Sequence, residues 1–387
     1  MKWMIPEIDL DGEQRELLNV YMKQQTGNIW IKGHAGSGKS VLLVQGVRNF
    51  HVANNNLRLV IVVYTHAMID MLRTGLKNII GPNDIPIMTY FEFEKNGQQY
   101  DIIFVDEVQD LPKRILEKMK NRAGRIIAAG DQMQSIYEDG VSPEQINNVL
   151  AGTEYSLNNI HRLTPSLVSL VAKFIGNVGN ILHAKINEKK VDVQIKLGRA
   201  SSMKNEIEYV MKKSKEYSAK NYTAAILLPT ASVMLEFCDM ICDLEDVNRW
   251  KKEKFKGKPI YDSLNAHFGQ NNIKFEYIGN KYGSLENAVK NGKVILMTYH
   301  SSKGLDFENV FMPLLTNNLC IFAKPAEKAE TVFMVALTRS RNNLFLTYHG
   351  DKYHGYLERF CNEDFMVSFD IDNELENDNK PQNITDW

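Results

Sequence analysis

Residues Gly33-His34-Ala35-Gly36-Ser37-Gly38-Lys39-Ser40 read G-x-x-x-x-G-K-S, the pattern of a loop that cradles nucleotide phosphates. Residues 28–32 before it read as a buried strand, and residues 41–50 after it read as a helix. Glycines let the backbone curl so that its N–H groups point at a phosphate, and the helix N-terminus adds positive potential. The stretch therefore predicts a P-loop, with Lys39 on the β- and γ-phosphates and Ser40 on Mg²⁺.

The length and composition of the chain limit the number of domains and the class of protein to which this loop can belong. A chain of 387 residues predicts two domains, and 44% hydrophobic and 24% charged residues are ordinary for a globular protein. The net charge of −1 means that any nucleic-acid site must be a local groove. Cysteine spacing indicates no metal site, and we expect reduced thiols in a cytoplasmic protein without a membrane segment.

Short apolar runs alternate with amphipathic stretches along most of the chain, which predicts an α/β fold with mainly parallel sheets. The alternation occurs twice. We therefore expect a first domain over residues 1–155 and a second over residues 156–369. Residues 370–387 are acidic with almost no apolar period, which predicts a disordered tail.

A second phosphate-site motif follows the P-loop. Residues 102–110 read as an apolar strand that ends in Asp106-Glu107-Val108-Gln109-Asp110. A carboxylate at a strand end beside a P-loop is suited to hold Mg²⁺, and we assign Asp106 to that role. Glu107 would then polarise the attacking water as general base.

The form D-E-x-Q-D resembles motif II of superfamily 1 helicases of the UvrD/Rep type. Further stretches agree with that family and occur in its order over residues 14–341. They are Gly33–Ser40 for motif I, Val63-Tyr64-Thr65-His66-Ala67-Met68 for motif Ia, Gly130-Asp131-Gln132-Met133-Gln134-Ser135-Ile136-Tyr137 for motif III, Thr298-Tyr299-His300-Ser301-Ser302-Lys303-Gly304-Leu305-Asp306-Phe307 for motif V and Val335-Ala336-Leu337-Thr338-Arg339-Ser340 for motif VI. Gln14 lies where the family has its adenine-reading glutamine, and Arg162 lies in a segment similar to motif IV.

The resemblance implies two RecA-like P-loop NTPase domains with an ATP site at their interface. Residues expected to bind ATP are Gln14, Gly33, Ala35, Gly36, Ser37, Gly38, Lys39, Ser40, Gly304 and Asp306, and those expected to hold Mg²⁺ are Ser40 and Asp106. The expected catalytic residues are Lys39, Glu107, Gln134, Arg162 and Arg339. Of these, Arg162 and Arg339 would be arginine fingers that complete the site when the domains close.

The resemblance also implies a groove for a single nucleic-acid strand. The residues expected to line it are Tyr64, Thr65, His66, Thr89 and Tyr90 from the first domain, and Thr298, His300 and Ser302 from the second. Tyr64 and Tyr90 are the candidates for stacking on bases, although aromatic residues at strand ends also commonly cap a core.

Two functions stay open on these grounds. The first is an ATP-dependent motor on single-stranded DNA, with RNA as an alternative strand and 3′-to-5′ movement implied by motif V. The second is a regulatory NTPase subunit that gates a protein partner such as a nuclease. The intact motif set favours the motor, which is the leading hypothesis. The short interval of residues 71–100 between motifs Ia and II, which leaves no room for an inserted accessory domain, favours the regulatory subunit.

Overall fold

The computed structural model describes residues 3–80, 85–174, 185–186, 191–255 and 258–379, which form two parallel sheets covered by helices. The first sheet has the strand order β3-β2-β4-β5-β1-β6, with all neighbours parallel. Its strands are β1 (Ile29–Gly33), β2 (Leu59–Val63), β3 (Ile87–Thr89), β4 (Tyr100–Val105), β5 (Ala123–Gly130) and β6 (Thr153–Leu157). The helices around it are α1 (Gly12–Glu16), α2 (Lys39–Ala53), α3 (His66–Ile80), α4 (Tyr90–Asn96), α5 (Lys113–Arg122) and α6 (Pro143–Leu150).

The second sheet has the order β13-β14-β10-β15-β16-β9-β17 and is also parallel. Two short pairs lie beside it, β7 (Asn159–Ile160) with β8 (Lys185–Ile186) and β11 (Lys254–Phe255) with β12 (Lys258–Pro259). The sheet strands are β9 (Gln194–Ala200), β10 (Ala224–Leu228), β13 (Phe275–Tyr277), β14 (Val294–Thr298), β15 (Phe307–Met312), β16 (Ser340–His349) and β17 (Met366–Asp370). The helices are α7 (Pro165–Ala172), α8 (Met203–Ala219), α9 (Ala231–Leu244), α10 (Tyr261–Gln270), α11 (Leu285–Lys290), α12 (Ala329–Leu337) and α13 (Ile371–Asn379).

The central strands are apolar throughout because helices cover both faces of each sheet. Every residue of β2 and of β10 is buried, and the sheets share a hydrophobic core that runs between them. The predicted α/β class with mainly parallel sheets is therefore confirmed. Within the described ranges, no helix is both long enough and apolar enough to cross a membrane.

The acidic C-terminal segment departs from the prediction of disorder over its first part. Residues 371–379 form α13, which packs against α8 and β9. Ile371 is fully buried and Leu375 is 8% exposed, so two apolar residues one helical turn apart are enough to dock the helix. The prediction was wrong for this part, and residues 380–387 lie outside the described residues.

The topology brings the loops that follow β1, β4 and β5 to one edge of the first sheet. These loops carry the P-loop, Asp106 and Asp131 respectively. The carboxyl ends of parallel strands are where α/β folds build their ligand sites. The chain returns to this edge after β7, where the backbone N–H of His161 donates to the Gly36 carbonyl at 2.9 Å.

Candidate nucleotide site and nucleic-acid interface

The P-loop has the backbone that its glycines predict. Gly36 and Gly38 have φ values of 79° and 88°, which a side chain would strain, and α2 begins at Lys39. The Lys39 ammonium donates to the carbonyls of Gly33 at 2.7 Å and His34 at 3.0 Å. The lysine is thus held against the concave loop whose pattern predicted a phosphate cradle.

Gln14 closes this loop from the side. Its Nε2 donates to the Ser37 carbonyl at 3.0 Å, and its backbone is fixed by a capping box with Asp11 at the start of α1. A Cβ on Gly38 would lie 2.4 Å from Gln14 Nε2. The positive φ favours glycine at position 38, and a larger residue there would also displace the Gln14 amide.

The acidic cluster lies directly beside α2. The Ser40 hydroxyl donates to Asp106 Oδ2 at 2.6 Å, and Asp106 is fully buried. Burial and the neighbouring Glu107 carboxylate raise the pKa of Asp106 to about 6. Burial also acts to raise the pKa of Glu107, but Lys303 and Lys39 outweigh it and lower that pKa below its usual value. Glu107 is thereby kept ionised next to Asp106.

Three arginines that follow β6 in the chain lie in the same place, and Arg339 is the most deeply buried of them. Arg162 Nη1 lies 3.8 Å from an Asp306 oxygen, and Arg341 Nε lies 3.9 Å from the other. Arg339 is 1% exposed, and burial together with the charge of Arg162 lowers its pKa to about 9. The guanidinium groups of Arg162 and Arg339 repel each other. An anionic ligand bound between them would relieve this repulsion.

A cavity of about 280 Å³ joins these groups. Residues from both sheets line it, among them Gln14, Ala35, Gly36, Gly38, Lys39, Ser40, Glu107, Gln134, His161, Arg162, Gly304, Asp306, Arg339 and Arg341. Most of the predicted ATP and catalytic residues are thus brought to one cavity. Gly33, Ser37 and Asp106 are predicted site residues that stand just behind its wall: Asp106 bonds Ser40, Ser37 bonds Gln14, and Gly33 bonds Lys39.

The loop after β5 connects this cavity to the second sheet. Gln134 Nε2 donates to Asp131 Oδ2 at 2.8 Å, and Gln134 Oε1 accepts from Arg339 Nη2 at 3.2 Å. The Lys303 ammonium, 1% exposed, donates to the Gln134 carbonyl and forms an ion pair with the buried Asp110. A buried pair of this kind, between residues 193 positions apart, ties the two sheets together.

Sequence reasoning assigned no role to several residues that the structure places here. They are Gln109, His161, Lys303, Lys328 and Arg341. Lys303 and Arg341 lie inside or next to recognised motifs, which is a signal that could have singled them out. Lys328 lies outside the motifs, and its side chain meets Ser135 only through the tertiary fold.

A row of rings, most of them buried or partly buried, lies between the two halves of the chain. Phe91 stacks on Tyr90 with centroids 4.1 Å apart, Tyr90 lies 5.0 Å from Tyr64, and Tyr64 stacks on Tyr137 at 3.8 Å. His300 from the second sheet follows at 6.2 Å from Tyr137. The row runs from the start of α4 and the end of β2 to the loop that follows β14.

The structure corrects the predicted groove at three positions. Ser302 is fully buried and its hydroxyl donates to the Tyr299 carbonyl at 2.8 Å. Thr89 is 2% exposed and caps α4 in a capping box with Glu92. Tyr90 is 5% exposed, whereas its neighbour Phe91 is 54% exposed. Local capping and packing therefore occupy Ser302, Thr89 and Tyr90, and Phe91 offers the open ring at that end of the row.

The remaining predicted groove residues are partly exposed. Tyr64, Thr65 and His66 follow β2, and Thr298 and His300 follow or end β14. Burial lowers the pKa of both His66 and His300, with nearby lysines acting in the same direction. Both imidazoles are thus favoured in the neutral form, suited to hydrogen bonding more than to charge pairing with phosphate.

Comparison with known proteins gives matches over both sheets. The family model described as the viral superfamily 1 RNA helicase core domain matches residues 29–237, and that described as the UvrD-like helicase C-terminal domain matches residues 270–351. The ATP-dependent DNA helicase Rep of Buchnera aphidicola subsp. Schizaphis graminum (strain Sg) is 30% identical over 134 residues, which are 32% of this chain and 20% of that protein.

Solved structures are similar at low sequence identity. The Arterivirus nonstructural protein 10 (helicase) has a TM-score of 0.44 and 15% identity, and covers 86% of this chain and 61% of its own. Its complex with DNA has a TM-score of 0.43 and 14% identity, covering 86% and 62%. The PRRSV helicase has a TM-score of 0.43 and 12% identity, covering 83% and 52%.

This chain spans less than two thirds of the length of each of these relatives. The match to the superfamily 1 helicase core, in contrast, extends over more than half of its own 387 residues. The motif order that predicted a UvrD/Rep-like protein agrees with both family models. The chain is therefore a member of helicase superfamily 1, and its residues 270–351 are similar to the UvrD-like C-terminal domain.

Proposed function

We propose that this protein is an ATP-hydrolysing motor that translocates along a single nucleic-acid strand. The observation that carries the proposal is the Arg339–Gln134 contact in a cavity that also holds the P-loop lysine and Glu107. We take residues 1–155 and 156–369 as two domains. Side chains from both domains would supply the positive charge that stabilises the phosphoryl group during transfer. Hydrolysis would then depend on how closely the two domains approach each other.

The donor set fits a magnesium nucleotide. Ser40 and Asp106 offer oxygen ligands 2.6 Å apart at the start of α2. An ion held there would take phosphate oxygens and waters as its further ligands. When bound, Mg²⁺ would neutralise the developing charge on the β- and γ-phosphates.

The protein side chains would divide the chemistry among themselves. Glu107, kept ionised by Lys303 and Lys39, would accept the proton of the attacking water. Lys39, Arg162 and Arg339 would stabilise charge on the phosphoryl oxygens, because all three line the same cavity. Gln14 would contact the base, and Gly304 and Asp306 would line the nucleotide from the second domain.

The row of rings supports a strand-binding role. Tyr64, Tyr137 and Phe91 would stack on successive bases, while Thr65 and Thr298 would contact phosphates near the ends of β2 and β14. Single-stranded DNA follows from the resemblance to the family and 3′-to-5′ movement from its motif V, and both are part of the proposal. RNA is the alternative strand.

The test is ATP turnover by the purified chain with single-stranded DNA, with single-stranded RNA and without nucleic acid. We expect DNA to stimulate turnover in a Mg²⁺-dependent manner, and a strand with a single labelled end to report the direction of movement. Turnover that neither strand changes at low salt would contradict the motor.

The rival function is a regulatory NTPase whose closure gates a protein partner such as a nuclease. One feature of the first sheet favours it. Only the short β3 and α4 lie between α3 and β4, which leaves no room there for an inserted accessory domain. Unwinding of a duplex with a single-stranded tail separates the two. A motor unwinds or at least displaces a bound protein, whereas a gating subunit is stimulated by its partner and does neither.

A further inference from the structure

Cations from the second sheet hold consecutive residues of the loop that follows β5. Arg339 contacts the Gln134 side chain, and the Lys303 ammonium donates to the Gln134 carbonyl. Lys328 then reaches the next residue, and its Nζ donates to the Ser135 carbonyl at 2.8 Å and to the Ser135 hydroxyl at 2.9 Å. Arg339 and Lys303 belong to recognised motifs, but Lys328 does not.

The helix dipole and partial burial both disfavour a charged lysine at position 328. It ends the 3₁₀ turn Ala326–Lys328 that leads into α12, and the positive end of a helix dipole disfavours a cation. Burial lowers the pKa of Lys328, the Asp110 carboxylate opposes this shift, and the charge of Lys303 adds to it. The two Ser135 oxygens offset this cost. A residue that violates local preferences in this way is a candidate for a functional role.

The loop that follows β5 contacts a different site at each of its ends. At one end Gln134 faces the nucleotide cavity, and at the other Tyr137 stacks on Tyr64 in the row of rings. Ser135 is 6% exposed and lies between them. A displacement of Tyr137 can therefore move Gln134 relative to Arg339 only as far as the anchoring of Ser135 allows.

We propose that Lys328 is a positioning residue that anchors Ser135 to the second domain and thereby couples strand binding at Tyr137 to Gln134 at the nucleotide cavity. The inference rests on the proposed function, since it concerns the coupling of nucleic acid to ATP turnover. Lys328 touches neither the cavity nor the row of rings. Its effect would appear in the coupling between them and not in either site alone.

The test replaces Lys328 by methionine, which keeps the length of the side chain and removes its charge and donors. The matched control is Lys324→Met, which removes a lysine of the same segment whose ion pair with Glu138 is exposed, at 76% and 54% of the two side chains. For each protein, ATP turnover is measured over a series of ATP and single-stranded DNA concentrations. Ser135→Ala, which removes one of the two acceptors, is the second variant should Lys328→Met fold poorly.

We expect Lys328→Met to lose stimulation by single-stranded DNA on the order of tenfold, as for the loss of a hydrogen bond to a charged group. Turnover without DNA and the KM for ATP should stay within about twofold. Ser135→Ala should lose part of the stimulation, and Lys324→Met none. Full stimulation in both Lys328→Met and Ser135→Ala overturns the inference, as does an equal loss of basal and stimulated turnover. Wild-type protein that neither single-stranded DNA nor single-stranded RNA stimulates overturns the proposed function itself.

Discussion

The Nη2 atom of Arg339 lies 3.2 Å from the Oε1 atom of Gln134, although the two residues are 205 positions apart in the chain. Arg339 also donates to the carbonyls of Val335 and Leu305, so its guanidinium is fixed in direction as well as in place. A cation held in this way can meet developing charge with little rearrangement, which is how preorganised sites lower a barrier.

Removal of either inter-sheet arginine should slow hydrolysis without unfolding the chain. We expect Arg162→Ala and Arg339→Ala each to lower kcat by a factor on the order of 10³, because trans-domain arginines stabilise transition-state charge. Arg339→Ala should also lose stability of about 1–3 kcal/mol, because it leaves buried carbonyl groups unpaired. The matched control is Arg199→Ala, which removes an exposed arginine paired with Asp351. Unchanged kcat in both variants would mean that the sheets do not share an ATP site.

Lys39→Ala tests the P-loop. The variant removes the ammonium that bonds the carbonyls of Gly33 and His34, and with it the charge on the transferring phosphoryl group. ATP turnover should fall to background, while circular dichroism and the thermal midpoint stay close to wild type. Lys32→Ala, which removes a half-exposed lysine paired with Glu154 at the end of the same strand, should keep its turnover. A Lys39→Ala protein with normal turnover would end the motor hypothesis.

Glu107→Gln separates chemistry from binding. The amide keeps the size of the side chain and can still accept from Gln109 Nε2, but it cannot act as a base. We expect turnover to collapse while the affinity for ATP and Mg²⁺, followed with a fluorescent nucleotide, is retained. The variant should also hold single strands more tightly in ATP. Loss of nucleotide affinity together with turnover would assign Glu107 to metal or nucleotide binding.

Gly36→Ala tests the approach of the second sheet to the P-loop. A Cβ at Gly36 would lie 2.3 Å from the Cβ of Arg162, whereas Gly97, which also has a positive φ, has nothing within 4 Å. Both alanine variants carry backbone strain of roughly 1–2 kcal/mol, seen in denaturant unfolding. Only Gly36→Ala should lose ATP turnover, because it pushes Arg162 away. Equal turnover in the two variants would show that closure does not need this contact.

The row of rings makes a prediction about strand affinity. Tyr64→Ala or Tyr137→Ala should weaken single-strand binding by roughly 1–3 kcal/mol if these rings stack on bases. Affinity should fall with salt at a slope of about −0.7 for each phosphate neutralised. Turnover without DNA should not change, and Tyr222→Ala, at an exposed tyrosine away from the row, is the control. Fluorescence anisotropy measures the affinity. Wild-type affinity in both row variants would remove the rings from the binding site.

Most of the buried strands, the edge strand β3 and the motifs could be read from the sequence, but the edge strands β6 and β17 could not. β2, β4, β10 and β14 are runs of apolar residues because helices cover them on both sides. β6 and β17 lie at sheet edges and mix polar with apolar residues, so they carry no comparable pattern. The helix in the acidic segment after Asp370 was also missed. Only Ile371 and Leu375 dock it, and two apolar residues are too few to show a helical period.

The sequence by itself determined the α/β class, the P-loop, the acidic strand end and the order of the motifs, because each depends on residues that are neighbours in the chain. The tertiary structure alone decided which distant side chains meet. It paired Arg339 with Gln134 and Lys303 with Asp110, and it directed Lys328 to Ser135. It also buried Thr89 and Ser302, whose residue types suited a groove. The reason is that the burial and pairing of these side chains depend on how the two sheets pack together. That packing joins residues far apart in the chain, so no local sequence pattern predicts it.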